Sequence, residues 1–179
     1  DNIERAIKRG TGEGGAVNYE DLTYEIYGPG GVALLVEIST DNRNRTASEI
    51  RSIVTKGGGT IATQGAVSRL FNRKGQIIVA REAAQEDMVM EVALEAGAED
   101  FVPDDQGYEI LTEPAAFENV LKQVEAKGIK PLAASVTELP SISVPVQDGA
   151  TVAALNRLIE ALEDHDDVKE VYSNAEFAV

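Results

Sequence analysis

The stretch Leu22-Thr-Tyr-Glu-Ile-Tyr-Gly-Pro-Gly-Gly-Val-Ala-Leu-Leu-Val-Glu-Ile38 decides the fold class of this chain. Leu22, Tyr24 and Ile26 alternate with Thr23, Glu25 and Tyr27, and Val32, Leu34, Val36 and Ile38 alternate beyond Gly28-Pro-Gly-Gly31. Alternation of period two puts every second side chain on one strand face, and a Gly/Pro turn between two such runs predicts a β-hairpin. The chain continues through Thr40-Asp-Asn-Arg-Asn-Arg-Thr46, a polar loop with two arginines, into Thr46-Ala-Ser-Glu49. That tetrapeptide matches a capping box, in which the threonine hydroxyl and the glutamate carboxylate satisfy unpaired amides at a helix start. Ala47, Ile50, Ile53 and Val54 give the helix its apolar stripe, and Gly57-Gly-Gly59 ends it. The arginine loop therefore lies between a strand end and a helix N-terminus, where free amides and the helix dipole favour anions.

Outward from this stretch, Ala66 to Phe71 and Gln76 to Ala80 predict a second hairpin turning at Asn72-Arg-Lys-Gly75. Met88, Val89, Val92, Ala93 and Ala96 mark a helix capped by Gly97, and strands are expected over 99–102 and 108–111. Thr112-Glu-Pro114 opens a helix carrying Phe117, Val120, Leu121 and Val124, closed by Gly128. Strands over 130–137 and 141–147, a helix burying Val152, Leu155, Leu158, Ile159 and Leu162, and a strand at Val168 to Tyr172 complete the order. Residues 66–138 then read ββαββαβ, close to a split βαβ of the ferredoxin-like kind. The expected fold is α+β, with two ferredoxin-like α/β-sandwich lobes: 66–138 inserted into a discontinuous domain of 14–65 plus 139–179. Residues 1–13 read as the stub of a helical domain followed by a glycine-rich linker, with Ile3, Ala6 and Ile7 on one helical face and Arg5, Lys8 and Arg9 on or near the other.

Composition narrows the chemistry. With 179 residues, 43% hydrophobic and 26% charged, the chain can bury one ordinary core or two small ones. No apolar run approaches the roughly 18 residues of a membrane span, and Asp1 to Arg9 is amphipathic, unlike the apolar core of a secretory signal. The absence of cysteine excludes disulfides and thiolate metal sites and fits a reducing compartment. The net charge is −15, unevenly distributed: residues 1–80 hold 10 Lys and Arg against 9 Asp and Glu, and residues 81–179 hold 6 against 22. A phosphate-facing surface is expected in the first half, and an acidic face suited to solubility or to a basic protein partner in the second.

Several long motifs resemble one family. Gly28-Pro-Gly-Gly-Val-Ala-Leu-Leu-Val-Glu37, Thr40-Asp-Asn-Arg-Asn-Arg-Thr46, Glu95-Ala-Gly-Ala-Glu-Asp100 and Asp167-Val-Lys-Glu-Val-Tyr-Ser-Asn-Ala-Glu-Phe177 closely resemble the YebC/PmpR family, and Asp1 to Arg9 resembles the end of its N-terminal helical domain. The resemblance implies a small basic helical domain followed by two α+β domains. It also implies a cytoplasmic, non-enzymatic regulator that binds DNA or acts on the ribosome and its rRNA, as does the mitochondrial activator of cytochrome oxidase subunit I synthesis. Roughly the first sixty residues of that pattern are missing, which implies a truncated bacterial form.

The candidate nucleic-acid contacts are Arg43 and Arg45 with Asn42 and Asn44, then Arg5, Lys8 and Arg9, then Arg69, Arg73 and Lys74. Each set has a plainer reading: local pairing of Asp41, Arg43 and Arg45 with one another or with Glu49, a solvated helix face, and solvated turn charges. Gly10-Thr-Gly-Glu-Gly-Gly15 spells a dinucleotide fingerprint, yet a helix precedes it and a strand follows, the reverse of the required context. His165 lies in Glu163-Asp-His-Asp-Asp167, which reads as an acidic helix-end turn rather than a metal site. Tyr24 and Tyr27 fall on opposite strand faces, so at most one could stack on a base. No cofactor, catalytic set or metal site is expected. The alternative function is an acidic protein-interaction module without nucleic-acid contact.

Overall fold

The computed structural model describes residues 18–177, which divide into two compact units, 18–71 with 140–177 and 72–139. The first is built on the expected hairpin. Strands β1 (Glu20–Tyr27) and β2 (Ala33–Thr40) pair antiparallel from Glu20 with Thr40 to Tyr27 with Ala33. The turn between them runs through Gly30 and Gly31 at φ of 80° and 77°, left-handed conformations that favour glycine. Strands β3 (Thr60–Ile61) and β9 (Val168–Ser173) flank the hairpin, giving the sheet order β3-β1-β2-β9. Central β2 is buried on both faces, which explains its nearly unbroken apolar run.

Helices α1 (Arg43–Lys56) and α4 (Gly149–Glu163) cover one face of this sheet, where Ile50, Val54, Leu155, Leu158 and Leu162 meet Ile26, Leu34, Val36 and Ile38. The opposite face is closed by the segment 62–71, with Val67 and Phe71 against Ala33 and Leu35. Buried Glu25 pins that segment by accepting backbone N–H bonds from Gly65 at 2.7 Å, Val67 at 2.8 Å and Ser68 at 2.7 Å. A short parallel pair, β8 (Val144–Val146) and β10 (Ala175–Phe177), completes the unit.

The second unit runs β4 (Phe71–Ala80), α2 (Glu86–Glu95), β5 (Asp100–Pro103), β6 (Gly107–Thr112), α3 (Phe117–Ala126) and β7 (Ala133–Pro140), with order β5-β6-β4-β7. This is a βαββαβ unit, the split βαβ. The hairpin expected across 66–80 is absent: Ser68–Leu70 is a 3₁₀ turn and β4 is one continuous strand of 10 residues. Gly75, read as a turn residue, lies in β4 opposite Thr112, where a Cβ would collide with the side chains of Thr112 and Phe117. Close packing, rather than a turn, requires glycine there. Its core joins Ile77, Val79, Tyr108 and Ile110 to Val89, Val92, Val120 and Val124. No helix among the described residues is long and apolar enough to cross a membrane.

Candidate nucleic-acid interface

The arginine loop is largely helix. Helix α1 starts at Arg43, and its N-cap is Asn42, whose Oδ1 accepts the Arg45 N–H at 3.1 Å. Thr46 is therefore inside the first turn, and the capping box expected at Thr46 to Glu49 is not formed. Asparagine caps as well as threonine does, and Thr46 is drawn into tertiary contacts instead. Its Oγ1 lies 2.7 Å from Thr40 Oγ1 and 2.8 Å from Asp167 Oδ2. With one proton per hydroxyl, Thr46 donates to the carboxylate and Thr40 supplies the proton between the two threonines. Thr40 in turn accepts the Asn42 N–H at 3.0 Å.

Asp167, 3% exposed, is the centre of this node. Arg45 Nη2 reaches its Oδ2 at 3.1 Å, and the Arg45 guanidinium also meets Asp41 at 3.4 Å and Glu49 at 3.7 Å. Burial raises the pKa of Asp167, but the Thr46 and Arg45 hydrogen bonds and the Arg45 charge outweigh it and hold the carboxyl below its ordinary value. His165 Nδ1 accepts the Asp167 N–H at 3.1 Å, so the ring proton sits on Nε2, 3.0 Å from Glu49 Oε1. Glu49, His165 and Asp167 offer ligand atoms within 4.8 Å of one another beside a cavity of about 420 Å³. Arg45 already places its guanidinium against both carboxylates, and both histidine nitrogens are engaged. The cluster is a clamp on the start of α1, in which one guanidinium is shared by three carboxylates.

The expected contact residues therefore separate. Asn42 caps and Arg45 clamps, whereas Asn44 is exposed and Arg43, its side chain 62% exposed, pairs among the described residues with Glu20 at 3.7 Å. Burial raises the pKa of Tyr24 despite the opposing charges of Arg43 and Arg51. Tyr24 itself packs on the core and Tyr27 is 37% exposed. Arg69 donates through Nε to Ala66 O at 3.4 Å. Arg73 and Lys74 are consecutive in β4 and so project to opposite faces. Arg73 pairs with Glu138 at 3.3 Å, and Lys74 bridges Glu99 at 2.8 Å and Glu113 at 2.9 Å. They do not form the single basic spot expected on a hairpin. Arg5, Lys8 and Arg9 lie outside the described residues.

Folding also redistributes charge. The first unit has 7 Lys and Arg against 14 Asp and Glu among its described residues, and the second 6 against 14, because the acidic segment 140–177 returns to the first unit. The near-neutral and acidic halves of the sequence thus have no counterpart in the fold. What stands out instead is α1, with four cations and one carboxylate, against α2 with four carboxylates and no cation. Arg51, Lys56 and Arg157 were missed in the sequence. Arg51 was detectable there, since it follows Asn44 by seven residues on the same helical face.

The family model for the second and third domains of TACO1/YebC matches residues 19–175. The chain belongs to the TACO1/YebC family. It is 53% identical over 176 residues to a "Probable transcriptional regulatory protein" of Halothermothrix orenii, covering 97% of this chain and 70% of that protein. A protein of the same name in Persephonella marina is 50% identical over 179 residues, with 99% and 72% covered. A crystal structure of a conserved hypothetical protein from Aquifex aeolicus superposes with a TM-score of 0.79 at 42% identity, over 99% of this chain and 73% of that one. The TACO1/YebC match takes in both units, including α1 and the Asp167 clamp.

Proposed function

We propose that this TACO1/YebC chain is a non-enzymatic, cytoplasmic regulator of gene expression that binds nucleic acid, either as DNA at promoters or as rRNA on the ribosome. The observation that carries the reading is the charge of α1, four cations to one carboxylate in a chain of net charge −15. Phosphate is the ligand that such a local reversal of sign favours. The names of the relatives support the regulatory role. Arg43 and Asn44 are the proposed contacts, while Arg45 and Asn42 hold α1 in place for them. The test is co-sedimentation with ribosomes beside promoter-DNA binding at several salt concentrations. Salt-dependent binding to either is expected, and indifference to both rejects the reading.

One observation favours the alternative of a protein-interaction module. Helix α2 carries Asp87, Glu91 and Glu95 beside exposed Met90 and Leu94, a face suited to a basic, partly apolar partner. Pull-downs that survive nuclease treatment and fail with Leu94→Asp would support that module.

A further inference from the structure

Resting on the reading of this chain as a nucleic-acid binder, we propose that the outward face of α1 docks duplex RNA through its phosphates and 2′-hydroxyls. Asn44, Ser48, Arg51 and Thr55 recur at intervals of four, three and four residues, which aligns them in one stripe. At 1.5 Å per residue that stripe is about 16 Å long. All four residues are exposed, as is Ser52 beside them. Arg51, Lys56 and Arg157 form no ion pair among the described residues, whereas most other cations do. Lys56 and Arg157 flank a groove of about 310 Å³ between α1 and α4, floored by Ile53, Ala154 and Leu158. The single carboxylate of α1, Glu49, lies off the stripe and is engaged by His165 and Arg45. A stripe of one cation, two hydroxyls and one amide that bears no carboxylate itself, with Lys56 and Arg157 at the neighbouring groove, complements a polyanion.

Geometry selects the form of that polyanion. Reading B-DNA requires a helix that protrudes into a major groove about 12 Å wide and about 8.5 Å deep. Helix α1 instead lies in a layer with α4 on the sheet, and three of the four residues of its stripe, Asn44, Ser48 and Thr55, have short side chains. Side chains of that length touch a shallow surface and stop short of bases at the bottom of a deep groove. The minor groove of A-form RNA is wide and shallow, and lined by 2′-hydroxyls that donate and accept, as Ser, Thr and Asn do.

The test measures fluorescence anisotropy of the 179-residue chain with labelled RNA and DNA duplexes of one sequence, each of about 20 base pairs so that successive minor grooves are presented. RNA is expected to bind about tenfold more tightly than DNA. Arg51→Ala with Lys56→Ala should weaken RNA binding about tenfold and lower the salt slope by about two. Ser48→Ala, Ser52→Ala and Thr55→Ala together should bring RNA down to the level of DNA. Alanine favours helix, so circular dichroism of these variants should match the parent. RNA binding that both variants leave unchanged, or equal affinity for the two duplexes, overturns the inference while the nucleic-acid reading stands. If the parent chain binds neither duplex nor ribosomes, that reading fails and the inference with it.

Discussion

Thr46 Oγ1 donates a 2.8 Å hydrogen bond to the Asp167 carboxylate, joining the first turn of α1 to the turn before β9 across 121 residues. Both groups are buried, so each depends on the other for the bonding that water would otherwise supply. Thr46→Val keeps the shape and deletes the donor. It should cost about 1 to 3 kcal/mol in urea unfolding, the usual penalty for stranding a buried acceptor. An unchanged midpoint would show that the clamp contributes nothing to stability.

Arg45 and Arg51 are predicted to behave oppositely, although both are exposed arginines of the same helix. Arg45→Ala removes a partner of the buried Asp167 and should destabilise the first unit by about 1 to 2 kcal/mol. Coupling to Thr46→Val should appear in a double-mutant cycle, because both act on one oxygen. Arg51→Ala should leave the melting temperature within about a degree, as expected of a solvated surface position, while weakening nucleic-acid binding. Loss of stability in both variants, or in neither, would contradict the separation of clamp from contact.

Glu25 makes stability depend on pH. Burial pushes its pKa up, but three backbone amides together outweigh that and leave it below the ordinary value of 4.5. A depressed folded pKa contributes stability that is fully present above the unfolded value and lost as pH falls through the folded one. Asp167, also depressed from its ordinary value of 3.8, adds in the same direction. Unfolding free energy of the parent should therefore fall below about pH 4.5. Glu25→Gln should be about 2 kcal/mol less stable at neutral pH and show a flatter acid arm. An acid arm as steep as that of the parent would remove Glu25 from this role.

Gly75→Ala tests the reassigned strand. A methyl group there collides with Thr112 and Phe117, so the substitution should cost about 1 to 3 kcal/mol by overpacking. A turn glycine in a solvated hairpin would tolerate the change far better. A neutral result in calorimetry would count against the continuous β4.

The hairpin at the start of the chain was legible because alternation and a Gly/Pro turn are local signals, and the helices after it were legible because period and capping are local as well. The 66–80 hairpin misled for the same reason. Asn72-Arg-Lys-Gly75 has turn composition, but the constraint on Gly75 comes from Thr112 and Phe117, residues distant in sequence that local pattern does not contain. The start of α1 was displaced by four residues on similar grounds. Asn42 and Thr46 both have capping chemistry, and Asp167 decides between them by claiming the Thr46 hydroxyl.

By itself the sequence determined the α+β fold class and membership of the TACO1/YebC family, since periodicity and long motifs are properties of order along the chain. Tertiary structure alone decided which cations face outward. Charge counted along the chain divided it into a neutral half and an acidic half, but folding returns 140–177 to the unit of 18–71 and neutralises Arg45 with Asp167. Electrostatic pairing depends on distance in space, and the residues that meet Arg45 there lie on both sides of an inserted domain.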